Sequence, residues 1–292
     1  MSRIVSFFRY AGGKGKLSSQ IVEQVIKQIG GNNVEYREPF FGGGSIGLKI
    51  LSEKIIDINN IWINDKDVGI ACLWTSVIRY PQHFKGCIMS FSPSTDAFYQ
   101  FKDELLIISS MPECQEQIVD IGFKKLAIHQ MSYSGLGTKS GGPLGGLEQK
   151  SKYKIDCRWS PSYICKKIDK LHDMFSEMNI RDNMCTCFDF SSLINDISMD
   201  AFIYLDPPYY DKGNMLYQYG FSQEDHKRLS TLLAHTQHKW VLSYDYTKAV
   251  TDLYFWAEVI KMHVKYSITA TKNINNSRRI PTVKDEVIIC PK

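Results

Sequence analysis

Val34-Glu35-Tyr36-Arg37-Glu38-Pro39-Phe40-Phe41-Gly42-Gly43-Gly44-Ser45-Ile46-Gly47 is the stretch from which the fold can be read. Val34 to Phe40 is a short strand-like run, Phe41 to Gly47 a glycine turn, and Ser45 onward the start of a helix. Ile61-Trp62-Ile63-Asn64-Asp65 follows as the next strand and ends in an acid. Strand, glycine turn, helix and acid-terminated strand open a nucleotide-type α/β sheet. Gly42 to Gly47 satisfies G-x-G-x-x-G, with Asp65 21 residues past Gly44. Glycines let a backbone come close to a ligand, and such an acid can bind a ribose diol. Alone, the motif fits NAD, FAD or S-adenosylmethionine, and a purely structural turn equally well.

Outward from this unit the rhythm breaks and then returns. Residues 94–131 predict helix, with apolar positions at three-to-four spacing, and Ser134 to Gly146 predicts loop or hairpin. After Lys170 the pattern predicts a helix near 161–178, a strand ending near Asp189-Phe190, and the apolar strand Ala201 to Leu205 running into Asp206. Ser222-Gln223-Glu224-Asp225 resembles a capping box opening a helix to about Thr236, and Trp240 to Tyr244 predicts another strand. Two final strands, about 257–268 and 284–290, would pair around the loop Asn273 to Pro281. The expected organisation is an α/β catalytic domain of residues 1–67 and 171–292 sharing one sheet, interrupted by an insert of residues 68–170.

Composition excludes several classes. The chain has 292 residues, 43% hydrophobic and 23% charged, which suits a globular protein with ample core material and excludes disorder and fibrous repeats. No run of 18 uncharged apolar residues exists, and the segment Met1 to Leu17 does not read as a secretory signal. Eight cysteines without C-x-x-C match no zinc ribbon or disulfide framework, so reduced thiols, a cytoplasmic setting and no metal are expected. The net charge of +4 is concentrated in the insert, where Lys124 to Lys170 holds 10 basic against 3 acidic residues. Mixed with Tyr133, Tyr153, Trp159 and Tyr163, this is either a phosphate-contacting surface or a solvated lysine-rich face.

Asp206-Pro207-Pro208-Tyr209, at the end of an apolar strand, is the most specific chemical signal. Two consecutive prolines fix φ twice and remove two N–H donors, leaving carbonyl acceptors held in place. An exocyclic amine on a base needs acceptors of this kind, because its lone pair is delocalised into the ring. The Asp206 carboxylate and the Pro207 carbonyl can each accept one N–H, which favours a pyramidal nitrogen with a free lone pair. Tyr209 would stack on the base, a contact worth about 1–3 kcal/mol.

Phe8-Arg9-Tyr10-Ala11-Gly12-Gly13-Lys14, Glu38 to Ser45, Asn64-Asp65, Asp189-Phe190 and Asp206 to Tyr209 stand in the order seen in the Dam-like DNA adenine-N6 methyltransferases, which the sequence resembles over nearly its whole length. The resemblance implies a Rossmann-like S-adenosylmethionine-dependent sheet with a mostly helical target-recognition insert containing a hairpin loop. It implies that Tyr10, Lys14, Phe40, Gly42 and Gly44 line the cofactor pocket, that Asp65 holds the ribose hydroxyls, and that Asp189 and Phe190 flank the cofactor adenine, with Asp206 shared between cofactor and target sites. Asp206, Pro207 and Tyr209 would carry methyl transfer, leaving S-adenosylhomocysteine as product and needing no metal. Arg9, Tyr133, Leu136, Thr138, Lys139, Lys150 and Lys152 would face double-stranded DNA, with no membrane involved, inside a bacterial or phage-infected cell. A monomer on DNA is compatible with this reading, as is a role beside a restriction enzyme.

The insert departs from GATC-reading members, which look like Tyr-Asn-Gly-Leu-x-Arg. Here Thr138 stands in the arginine's place, in Tyr133-Ser134-Gly135-Leu136-Gly137-Thr138, so a site other than strict GATC is expected. Methylation of cytosine N4 or another amine is the alternative, since such enzymes use similar tetrads. A nicotinamide oxidoreductase would leave Asp206 to Tyr209 and Lys14 unexplained, and a DNA-binding protein with a vestigial catalytic fold fits poorly with a complete tetrad. His129 reads as a packed residue, Arg278 and Arg279 as either a phosphate contact or a solvated loop, and Tyr209 to Phe221 as an aromatic lid.

Overall fold

The computed structural model describes residues 6–8, 10, 13–15, 17–29, 34–55, 58, 60–210, 220–266 and 282–292. Arg9, Arg278 and Arg279, and most of the aromatic stretch between Tyr210 and Gly220, lie outside these residues.

Seven strands form one sheet: β1 Glu35–Glu38, β2 Asn60–Ile63, β3 Asn179–Ile180, β4 Ala201–Leu205, β5 Lys239–Asp245, β6 Glu258–Tyr266 and β7 Thr282–Cys290. Their order is β3-β2-β1-β4-β5-β7-β6, with β7 antiparallel to both neighbours and the other pairings parallel. This is the expected Rossmann-like α/β class. Strand residues alternate between two cores. Phe202, Tyr204, Val241 and Ile288 join one, and Ile203, Leu205, Leu242, Val287 and Ile289 join the other. Burial on both faces explains why β4 reads as a continuous apolar run.

The helices are α1 Ser18–Ile29, α2 Gly47–Ser52, α3 Val68–Arg79, α4 Pro81–Ser90, α5 Thr95–Leu106, α6 Gln115–Met131, α7 Pro161–Ser176, α8 Phe190–Asn195, α9 Gln223–His235 and α10 Lys248–Leu253. The expected helical stretch 94–131 is two helices, α5 and α6, separated by a segment containing Pro112. The capping box at α9 is present, with Ser222 and Asp225 bonded reciprocally. One larger core runs unbroken from the sheet through Trp74 of α3 to Phe84, Phe98 and Phe123 of α4, α5 and α6. Trp74 also donates from Nε1 to the Gly42 carbonyl at 2.8 Å, which ties α3 to the glycine turn. The early part of segment 68–170 therefore shares the core of the sheet, with only a small cluster of its own at Val68, Cys72 and Ile118.

One sequence expectation fails here. No strand runs to Asp189-Phe190. β3 ends at Ile180, Asp182 and Asn183 turn the chain with φ of 55° and 51°, and only a single bridge, Asn64 to Thr186, continues the pairing. Asp189 instead caps α8, accepting from Ser191 N–H at 3.0 Å. Among the described residues no helix is long and apolar enough to cross a membrane.

Candidate active site

In parallel sheets, ligands bind beyond the carboxyl ends of strands where the winding direction reverses. Here the reversal falls between β1 and β4. The segments leaving β1, β2 and β4 carry Pro39 to Gly43, Asp65 and Asp206 into one cavity of about 250 Å³. Its wall also includes Tyr10, Glu38, Asp67, Asp189, Phe190, Pro208, Phe221 and Arg228. Among the expected cofactor residues, Lys14 and Gly44 lie outside this wall.

The glycine turn is shaped by protein groups. Gly42 sits at φ +48°, and a Cβ there would lie 2.6 Å from the Tyr10 ring. A Cβ on Gly47 would lie 2.4 Å from Glu38 Oε2. The motif's outer glycines thus make room for a tyrosine and a buried carboxyl, and Tyr10 forms the cavity wall against the turn. Tyr10 also packs against Phe8 at a centroid distance of 6.1 Å and against His129, which is buried with ring centroids 5.5 Å from both Tyr10 and Phe8, as a packed histidine should be.

Asp65 is held rigidly. Oδ2 accepts from Gly42 N–H at 2.7 Å and Oδ1 from Asp67 N–H at 2.9 Å. Burial, reinforced by the neighbouring Asp67 charge, pushes its carboxyl up to about 7. Behind the aromatic side of the cavity, Phe40, Phe190 and Phe221 meet at centroid distances of 5.4–5.7 Å. The Arg228 guanidinium stacks 4.4 Å over Phe190 and pairs with Asp189 at 2.8 Å. Despite burial, bonds from Ser191 and Arg228 hold the Asp189 carboxyl below its usual range.

Asp206 follows β4 directly. Its Oδ1 accepts from Lys14 Nζ at 2.5 Å and from Ser243 Oγ at 3.0 Å, and Tyr204 OH supports Ser243 at 2.9 Å. Burial raises the Asp206 carboxyl above its ordinary value, and the Lys14 ammonium opposes that rise. Lys14 therefore acts on the cavity through Asp206, without lining it. Its ammonium also covers one face of Tyr209, 4.6 Å from the ring centroid, so a base would have only the other face to stack on. Tyr209 OH contacts Glu286 Oε1 of β7 at 3.3 Å. Pro207 is buried and Pro208 faces the cavity.

Around the proposed DNA face, Tyr133 is 66% exposed and Lys139, Lys150 and Lys152 are exposed, while Leu136 is half-buried. Thr138, however, is only 4% exposed in the short turn Gly137–Lys139, so here it presents no group to a base edge. Lys124 and Lys125 also leave the basic surface: Lys124 pairs with Glu104 and Asp120, and Lys125 is buried against Asp67. All eight cysteines are free, and no metal-binding cluster occurs among the described residues.

Glu286, Arg228 and Ser243 were not signalled by any motif, whereas Phe221 closes the stretch read as an aromatic lid and stands here in the cavity wall. The sheet register brings two of them in, since Glu286 lies opposite Asp245 and Leu242 opposite Leu205, next to Ser243.

The family described as D12 class N6 adenine-specific DNA methyltransferase matches residues 10–268. Among curated proteins, Type II methyltransferase M.MjaIII of Methanocaldococcus jannaschii is 21% identical over 243 residues, covering 77% of each chain. Among solved structures, the rRNA methyltransferase aviRa from Streptomyces viridochromogenes aligns at 12% identity with a TM-score of 0.40, over 98% of this chain and 89% of that one.

Proposed function

The chain belongs to the D12 class N6 adenine-specific DNA methyltransferase family, and from that premise we propose that it methylates N6 of an adenine flipped out of duplex DNA, using S-adenosylmethionine, at a site other than strict GATC. The observation that carries the reading is Asp206: a carboxylate fixed through Oδ1 by Lys14 and Ser243, at the wall of a cavity that also holds the glycine turn and the aromatic trio.

The cavity suits the cofactor by its donor set. Glu38, Asp65, Asp67, Asp189, Asp206 and Asp225 outnumber Lys66 and Arg228 in its wall, which offers oxygen acceptors to a ligand carrying ammonium and hydroxyl groups. S-adenosylmethionine, when bound, supplies a methyl group on a cationic sulfur. Phe40, Phe190 and Phe221 present ring faces for its adenine, with Asp189 beside them. Asp65, braced by Gly42 and Asp67, offers a carboxylate for the ribose hydroxyls. Arg228 shields the outer edge of Phe190.

With Oδ1 engaged, Asp206 leaves Oδ2 to accept an N6–H from the target adenine, and the Pro207 carbonyl would accept the second. Both bonds draw N6 away from planarity and release its lone pair. The face of Tyr209 away from Lys14 would take the flipped ring, which would help offset a few kcal/mol of unstacking. The exposed Tyr133, Lys139, Lys150 and Lys152 would contact the duplex. No arginine stands at position 138, so a bidentate guanine contact from that position is missing.

Calorimetric titration tests the reading. Micromolar binding of S-adenosylmethionine with no binding of NAD is expected, and NAD binding without S-adenosylmethionine binding would overturn it.

A further inference from the structure

A buried lysine of the insert reaches the cofactor cavity from behind. Lys125, on α6, is 2% exposed, and its Nζ lies 2.5 Å from Asp67 Oδ2. Asp67 Oδ1 caps α3 by accepting from Gly69 N–H at 2.9 Å and Ile70 N–H at 3.2 Å. The Asp67 N–H in turn donates to Asp65 Oδ1, and Asp65 Oδ2 receives the Gly42 N–H. A continuous polar chain therefore runs from the insert, through two carboxylates, to the glycine turn. Space for it is reserved, since a Cβ on Gly69 would lie 2.7 Å from Lys125 Cδ. A lysine is rarely buried without such a partner, and the methyltransferase reading so far gives this one no role.

We propose that Lys125 is a positioning residue for cofactor binding: by neutralising Asp67 it lets the adjacent Asp65 remain a fixed, ionised acceptor for the ribose diol. The inference rests on the reading of the cavity as the cofactor site with Asp65 at the ribose. The groups facing Asp65 are Asp67 and Lys66 from its own loop, Lys125 from α6, Glu38 from the end of β1, and the thiols of Cys185 and Cys187 from the segment before α8. Burial and the Asp67 charge both disfavour ionised Asp65, and Lys125 is the buried cation that opposes them. Removing the ammonium should therefore make Asp65 harder to ionise in the pH range where the cofactor binds.

The test is S-adenosylhomocysteine affinity, measured by calorimetry between about pH 6 and about pH 9, on wild type, Lys125→Gln, Lys125→Arg and Asp65→Ala. Comparing variants with one ligand cancels the ligand's own titration. Lys125→Gln should weaken binding roughly five- to tenfold near neutrality and recover towards high pH, so that the midpoint of the pH profile moves up. Lys125→Arg should restore both affinity and midpoint. In methyl transfer, KM for the cofactor should rise with kcat little changed at saturation. A charge left unpaired in the interior can prevent folding. The double variant Lys125→Met/Asp67→Asn leaves none, and because it also removes the repelling Asp67 charge its midpoint should move down from wild type. Unchanged midpoints in Lys125→Gln and in the double variant, with Asp65→Ala weakened, would overturn the role of Lys125 and leave the ribose reading intact. Unchanged affinity in Asp65→Ala would instead overturn the ribose reading.

Discussion

Lys14 and Asp206, 192 residues apart in the chain, are joined by an Nζ to Oδ1 contact of 2.5 Å at the wall of the strand-end cavity that also contains the glycine turn. The ion pair brings the N-terminal segment to the tetrad. It also gives the Asp206 carboxyl a fixed orientation and opposes the rise that burial imposes on it.

Lys14→Met should therefore push the Asp206 carboxyl further up. The proposed methyl transfer uses the ionised form of Asp206, so the acid limb of kcat/KM should move to higher pH. The variant's deficit should be larger near about pH 6 than near about pH 8.5 in a tritiated methyl-transfer assay. A deficit independent of pH would show that Lys14 acts only through geometry.

Asp65, the residue proposed to hold the cofactor ribose, also bears on stability. Its carboxyl is pushed up to about 7 in the folded protein, against about 3.9 in an unfolded chain. The folded state holds the proton more tightly, so stability is lost as pH rises from about 4 through about 7. Asp65→Asn removes that dependence. Its melting temperature relative to wild type should be more favourable at about pH 8 than at about pH 5. Thermal melts giving the same difference at both values would contradict the burial argument.

Arg228 stacks over Phe190 and pairs with Asp189 at a half-exposed site. A cation–π contact there is worth about 0.5–1 kcal/mol, so Arg228→Ala should weaken S-adenosylmethionine binding about two- to fivefold. Binding unchanged in calorimetry would place the cofactor adenine away from Phe190.

Lys139, Lys150 and Lys152 are exposed on segment 68–170, Lys150 in a solvent-facing pair with Glu148 at 2.5 Å. Replacing all three by alanine should reduce the slope of log affinity for duplex DNA against log salt by about 2.7, at about 0.9 per lost phosphate contact. Fluorescence anisotropy showing an unaltered slope would make this run an ordinary solvated face.

The architecture was legible because buried parallel strands write themselves plainly. Ala201 to Leu205 is apolar throughout, and its end at Asp206 was placed correctly. β1 is harder to recognise, since Glu35-Tyr36-Arg37-Glu38 is mostly charged yet fully buried. Arg37 compensates by pairing with Glu35 at 2.6 Å and donating to the Leu193 and Asp196 carbonyls, contacts that local sequence cannot display. The same limit applies at the site. The tetrad and the glycine turn are contiguous motifs, whereas Glu286 and Ser243 arrive by strand register. Thr138 stands in an exposed-looking glycine-rich stretch, but the turn folds it inward. Lys124 and Lys125 look like part of a basic surface until α6 is packed against α3 and α5.

The most direct measurement is the identity of the methylated base. Plasmid DNA incubated with the purified protein and S-adenosylmethionine, then digested to nucleosides and analysed by mass spectrometry, should yield N6-methyladenine. Asp206→Ala should yield none while binding S-adenosylmethionine nearly as tightly as wild type. N4-methylcytosine as the product, or full N6-methyladenine formation by the Asp206 variant, would contradict the account.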